Sequence, residues 1–301
     1  MNRPTAPLRH SRLDGVAIAM MVGLCALWGF NQVAIKVANA GIAPLLQAGL
    51  RSIGAAILVG VWSWWRGERL FARDGSLWPG LLAGLLFASE FGLIFWGLTF
   101  TAASRAVVFL YTAPFVVAVG LHLLVPAERL HRGQALGLAA AFAGIVVAFH
   151  ENLSLPTGDQ MLGDAMLLAA AVLWGGSTVV IRSSRLAVIG AGKTLFYQLA
   201  VSAVLLPLAA LALGETGIAG ATPLAWASLA FQTVGVAFAS YLAWFWLIGR
   251  YPATRLSAFS FLTPLFGMGF GALLLGEPVT PGLVAAMALV AVGIRLVNRR
   301  G

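Results

Sequence analysis

This sequence has little charge: 10% of its 301 residues are Asp, Glu, Lys or Arg. A water-exposed globular surface takes about 25%, so the composition excludes a soluble domain. Cysteine is nearly absent too. Cys25, the single one, excludes an internal disulfide and a cysteine metal site, and carries no information on compartment. The four histidines, His10, His122, His131 and His150, fall between apolar runs or near their ends, and HExxH does not occur. An intramembrane hydrolase needs a nucleophile with histidine or paired acids at depth. The chain is therefore not expected to be an enzyme, and neither a metal nor a cofactor is expected. Gly190 to Thr194, GAGKT, has the tail of a phosphate-binding loop, but the first glycine of that motif falls on Ala187 and no strand precedes it.

What fills the sequence is hydrocarbon: 60% hydrophobic residues and a mean hydropathy of +0.92. Successive apolar runs of about 18 to 25 residues match the roughly 30 Å core of a bilayer as helices, whereas barrel strands would be about 10 residues of alternating polarity. Ten spans follow, at 14–36, 43–65, 77–99, 102–124, 133–149, 163–182, 191–213, 224–248, 253–275 and 281–298. The first run is too long for the apolar core of a signal peptide and is kept as a helix. The net charge of +9 calls for no nucleic acid, because positive residues gather in cytoplasmic loops and face anionic lipid. Placing the N-terminus inside puts 16 of the 19 Lys and Arg residues on the inner side and leaves Lys36, Arg51 and Arg105 outside. Both termini are thus expected in the cytoplasm, in a multi-pass protein of the bacterial inner membrane. Trp62, Trp64, Trp65, Trp78 and Trp226 stand at run ends as interfacial anchors.

The chain also repeats itself. Ser104 to Phe115, SRAVVFLYTAPF, returns as Thr254 to Phe266, TRLSAFSFLTPLF, at a shift of 150, so that Arg105 falls on Arg255, Phe109 on Phe259 and Pro114 on Pro264. Ala26 to Lys36, ALWGFNQVAIK, returns as Val172 to Arg182, VLWGGSTVVIR, at a shift of 146. Glu128 and Glu277, Gly133 and Gly282, and Gly144 and Gly293 match at 149. The order of matches divides the chain into a cytoplasmic segment 1–13, a five-helix unit 14–150 and a second unit 151–301. Five is odd, so the second copy enters the membrane from the opposite side. That is the inverted-topology repeat of many secondary transporters, whose binding site lies near the midplane between the copies.

Five plus five inverted helices, the ALWG motif in the first and sixth spans, and proline-bearing fourth and ninth spans each followed by an acid (Glu128, Glu277) resemble the drug/metabolite transporter superfamily. Within it the chain is similar to EamA-type exporters, and among these to exporters of aromatic amino acids. The resemblance covers nearly the whole chain, and its motifs speak more to fold than to substrate. It implies export from the cytoplasm, a binding region lined by spans one, three, four, six, eight and nine, and spans five and ten packed at the periphery.

Several residues stand out as carriers of such a function. Pro114 and Pro264 each remove a backbone donor and clash with the preceding turn, so each is a static kink or a hinge of alternating access. Glu90 is the one acid near the centre of an apolar run and should face the interior. It would bind a substrate ammonium, carry a coupling proton, or pair structurally with Asn31, Gln32 or helix backbone. Phe87, Phe91 and Phe95 share its face at helical spacing, as Tyr241 and Trp244 share one on the eighth span. Trp28, Trp174, Tyr111 and Phe259 join them by depth or repeat position; core packing is the plainer role for any one of these rings. Asn31 and Ser177 add donors and acceptors after the ALWG motif. The expected ligand is a small, amphipathic zwitterion, an aromatic or large apolar amino acid foremost. A proton-coupled multidrug or cation efflux carrier is the alternative; a channel would show filter residues repeated from several subunits. Gly80 and Gly84, Gly133 and Gly137, and Gly267 and Gly271 suit close helix packing within the bundle as well as in a homodimer, leaving monomer and dimer open.

Overall fold

The computed structural model describes residues 12–98, 100–101, 103–150, 155, 157–275 and 281–299. Glu151 and Glu277, and with Glu277 the acid after the ninth span, lie outside them, as do Arg3, Arg9 and His10. The described residues are nearly all helical. In order they form α1 (Gly15–Asn39), α2 (Pro44–Trp65), α3 (Leu77–Gly97), α4 (Ala103–Leu110), α5 (Ala113–Leu124), α6 (Arg132–Phe149), α7 (Gly158–Ser183), α8 (Ala191–Ala212), α9 (Pro223–Phe231), a π-helical segment Gln232–Ser240, α10 (Tyr241–Arg250), α11 (Ala253–Phe259), α12 (Leu262–Leu275) and α13 (Pro281–Asn298). Among the described residues nine helical stretches are long and apolar enough to cross a membrane, and Val284–Asn298 is a tenth, shorter apolar helix. The protein is a ten-helix membrane protein.

Local chemistry sets the ends of these helices. Asp14 accepts the Ala17 amide at 2.8 Å to start α1, and Pro44 opens α2 where its missing N–H costs nothing. The sixth span begins at Gly158, five residues before the apolar pattern, because Thr157 and Gln160 form a reciprocal capping box in the polar stretch ahead of it. The fourth and ninth spans are each built of two helices. The breaks fall just ahead of the prolines, which sit in the first turns of α5 and α12, and short i to i+3 bonds such as Phe115 N to Thr112 O at 3.0 Å and Thr263 N to Ser260 O at 2.9 Å bridge them. The π-helical segment in the eighth span has no counterpart in the apolar pattern. Within it the Thr233 and Ser240 hydroxyls donate back to the Leu229 and Val236 carbonyls at 2.8 and 2.6 Å.

The helix pairings repeat when the two halves are exchanged. α1 packs on α12 as α7 packs on α5, while α2 with α8 and α6 with α13 pair across the halves. Glycines sit at these contacts. A Cβ on Gly29 would lie 2.7 Å from Phe266 Cβ and 2.9 Å from Thr263 O, and one on Gly175 2.6 Å from Val116 Cβ and 3.0 Å from Ala113 O. The glycine of each ALWG motif is therefore the place where its helix lies against the proline-broken span of the other half. Gly84 meets Val201 and Gly137 meets Val297, all inside the bundle, whereas Gly133 has open space beside it. The loops pair as well: Ile42 bridges Ile218, with Ala43 N on Gly217 O at 2.9 Å. Large apolar side chains such as Leu208, Leu211, Leu273 and Val284 point outward, as hydrocarbon surroundings require. The tryptophans expected at the interfaces are exposed at Trp64, Trp65, Trp78 and Trp226 and half-buried at Trp62.

Candidate functional site

Two charged side chains lie inside the bundle on neighbouring helices. Arg51 stands seven residues into α2 and Glu90 seven residues before the end of α3, so both lie about 10 Å along their helices from the same face at 1.5 Å per residue. Arg51 is 3% exposed and Glu90 7%. The two stand within electrostatic reach of one another and of Tyr241, yet Arg51 Nε and Nη2 and Glu90 Oε2 have no hydrogen-bond partner. The Arg51 guanidinium lies 4.7 Å from the centre of the Phe91 ring. A buried charge without a full set of partners costs several kcal/mol, so this corner is expensive to maintain. Arg51, counted in the sequence among the three positive residues of the outer side, is buried within the bundle, as Arg105 is. Gln32 is exposed and so is no partner for Glu90, whereas Asn31 is buried with Oδ1 unpaired.

Aromatic rings continue from this pair in an edge-to-face series. Trp28 meets Trp244 at 5.7 Å and Tyr241 at 6.4 Å between centroids; Tyr241 meets Phe87 at 6.0 Å; Phe87 meets Phe91 at 4.9 Å; Phe91 stacks on Phe95 at 6.4 Å. Trp28 is fixed by a hydrogen bond from Nε1 to Ser240 Oγ of 2.9 Å, and Ser240 is the repeat mate of Glu90. Trp28, Phe91, Phe95, Tyr241 and Trp244 are all half-buried. The remaining expected residues divide between this cluster and another. Tyr111 and Trp174 meet at 5.8 Å in a second cluster with Phe261 and the α6–α13 pair. Phe259 is buried in the core cluster against which Trp28, Tyr241 and Trp244 pack, and its carbonyl accepts the Cys25 thiol at 3.2 Å. Ser177 spends its hydroxyl on Trp174 O of its own helix at 2.9 Å, the bland use of such a residue. Sequence reasoning missed Arg51; the available signal was its depth in GLRSIGAAIL, two turns beyond the helix start.

Ion pairs lie away from this centre. The Glu128 carboxylate pairs with Arg182 and accepts Ala253 N at 2.8 Å, while Arg182 Nη1 donates to Ile248 O at 2.9 Å. One carboxylate thus ties together α7, the segment after α5 and the start of α11. Arg105 grips Asp164 through Nε and Nη2, and Thr101 donates to the same carboxylate at 2.7 Å. Lys193, of the GAGKT string, donates to Asp74 Oδ2 at 2.9 Å and to Ala72 O at 2.8 Å. Glu215 accepts Leu45 N and Leu46 N at 2.9 and 3.0 Å and so caps α2, and Glu68 lies against Gly190 at the start of α8. The loop after each member of the α2–α8 pair therefore supplies a carboxylate to the N-terminus of the other, a placement that the helix dipole favours. Among the described residues no three His, Cys, Asp or Glu side chains gather as a metal site.

The EamA-like transporter family matches the chain twice, over residues 15–149 and 161–299. A Salmonella typhimurium protein named a probable amino-acid metabolite efflux pump is 28% identical, with 94% of each chain covered. An Escherichia coli protein of the same name is 26% identical over 90% of this chain and 89% of its own. A Bacillus subtilis protein named an uncharacterized transporter, YoaV, is 24% identical over 92% and 96%. A solved crystal structure superposes with a TM-score of 0.81 at 18% identity, covering 94% of this chain and 98% of that one, and shows the same fold.

Proposed function

Since the chain belongs to the EamA-like transporter family, and is a transporter rather than an enzyme, we propose that it exports small amphipathic metabolites bearing an amino group, aromatic and large apolar amino acids foremost. The observation that carries this reading is Glu90: an interior carboxylate with an unpaired oxygen, on the helix that carries Phe87, Phe91 and Phe95 of the ring series. A carboxylate can take an ammonium group, and rings accept an apolar side chain. The efflux-pump names of two relatives support amino-acid-related cargo and the outward direction. Alternating access is supported by the exchange of helix pairings between the halves, which gives two related packings for one bundle. In this reading 14–150 and 151–301 are inverted copies, both termini lie in the cytoplasm of a bacterium, and Pro114 and Pro264 bend the spans of opposite gates.

The test is counterflow in proteoliposomes across the amino acids, with and without a pH gradient. Saturable exchange of aromatic and large apolar amino acids is expected, with Glu90→Gln raising KM by about tenfold, as for one lost charge-assisted hydrogen bond. Exchange of none of them contradicts the reading. A KM unchanged in Glu90→Gln, with a lost dependence on the pH gradient, would reassign Glu90 to proton coupling.

A further inference from the structure

We infer that Arg51 is the second pole of the substrate site, binding the carboxylate of an amino acid whose ammonium group lies at Glu90. The inference rests on the reading of Glu90 as the amine site and goes beyond it by naming what selects a zwitterion over a bare amine. Arg51 Nε and Nη2 are buried donors without a partner, and they form one edge of the guanidinium fork, the edge that takes a carboxylate through two parallel hydrogen bonds. The same protein shows that edge occupied: Arg105 holds both oxygens of Asp164 with Nε and Nη2. Arg51 has the buried, pre-aimed fork and lacks the carboxylate.

Its surroundings argue against a plain structural counter-ion. A structural partner of Glu90 would close on it, as Arg182 closes on Glu128; instead the two lie within electrostatic reach while Glu90 Oε2 and the Arg51 edge both stay unpaired. Phe91 supports the guanidinium at 4.7 Å, which orients a fork without using its donors. A zwitterion satisfies both poles at once and leaves its side chain to Phe87, Phe91 and Tyr241. A bare organic cation finds at Glu90 a carboxylate already offset by a neighbouring positive charge, which disfavours the cation-efflux alternative.

The experiment compares phenylalanine, its methyl ester, which lacks the carboxylate, and 3-phenylpropionate, which lacks the ammonium, as competitors in counterflow. Wild type is expected to prefer phenylalanine to either analogue by at least about tenfold, the worth of a charged hydrogen-bond pair. Arg51→Gln should raise the KM for phenylalanine by a similar factor and leave inhibition by the ester within about twofold, because the ester never used the fork. Arg51→Lys, which keeps the charge and loses the fork, should fall between. Equal weakening of phenylalanine and ester in Arg51→Gln would overturn the inference, as would an unchanged phenylalanine KM. The wild-type comparison needs no variant to fold: an ester accepted as well as phenylalanine removes the Arg51 pole and keeps the amine reading, and rejection of both removes the amine reading itself.

Discussion

At the start of α8 the Asp74 carboxylate holds three polar groups: the Ser76 amide at 3.1 Å, the Ser76 hydroxyl at 2.5 Å and the Lys193 ammonium at 2.9 Å. Burial pushes this carboxyl up, but the Ser76 and Lys193 bonds outweigh it and bring it down to about 2 from 3.8. Its folded value lies below its unfolded one, so the contribution to stability is complete above about pH 4 and disappears as pH falls towards 2. The melting midpoint of detergent-solubilised protein should therefore fall between about pH 4 and 2, and fall less in Asp74→Asn; parallel profiles would contradict the assignment. The same scale shows what the sequence made legible. Glu90 was visible because an acid in FASEFGLIFWG has no cheap explanation other than an interior position. Arg51 was not, because a positive residue near a span end reads as a topology signal, and only three-dimensional packing of α2 against α3 and α8 turns its side chain inward. Tyr111 and Trp174 shared depth and repeat position with the site, yet depth is one coordinate of three, and the helices carrying them face another cluster.

The broken spans are the element on which function would turn. A proline cannot donate to the turn before it and its ring crowds that turn, which accounts for the paired interruptions ahead of Pro114 and Pro264. Each broken span is held against an ALWG glycine of the other half. Gly29→Ala and Gly175→Ala should each destabilise by about 1–3 kcal/mol, the usual cost of overpacking, because the new methyl group would meet backbone as well as side-chain atoms. An unchanged melting midpoint in both would contradict the packing. Pro114→Ala and Pro264→Ala test motion instead: slower counterflow and altered labelling of single-cysteine probes are expected if the breaks flex, and unchanged rates with unchanged labelling would make them static kinks. The ALWG repeat was legible as a string; its reason, a helix crossing at its glycine, needed the partner helix. The π-helical segment was illegible for a physical cause, since a short widened stretch leaves the pattern of apolar residues nearly intact.

For the whole molecule, ten apolar runs and the order of their internal matches were enough to reach the architecture, because a bilayer admits few alternatives to helices of that length. The junction of Glu128, Arg182 and Ala253 links the two halves at one end of the bundle. Removing one partner of a buried ion pair costs about 3–5 kcal/mol, so Glu128→Ala should loosen that end. A reporter Thr254→Cys, in a Cys25→Ala background, should then react faster with a membrane-impermeant thiol reagent applied from each side in turn; a rate unchanged from both sides would show that the junction is not what closes it. The central claim, that an interior Glu90 beside a series of rings makes this chain a carrier of amino acids, is tested most directly by counterflow of radiolabelled phenylalanine into proteoliposomes preloaded with the unlabelled compound. The account predicts a transient, saturable accumulation of label that Glu90→Gln weakens. A flux absent for phenylalanine and every other amino acid, or one that rises with concentration without saturating, would contradict it.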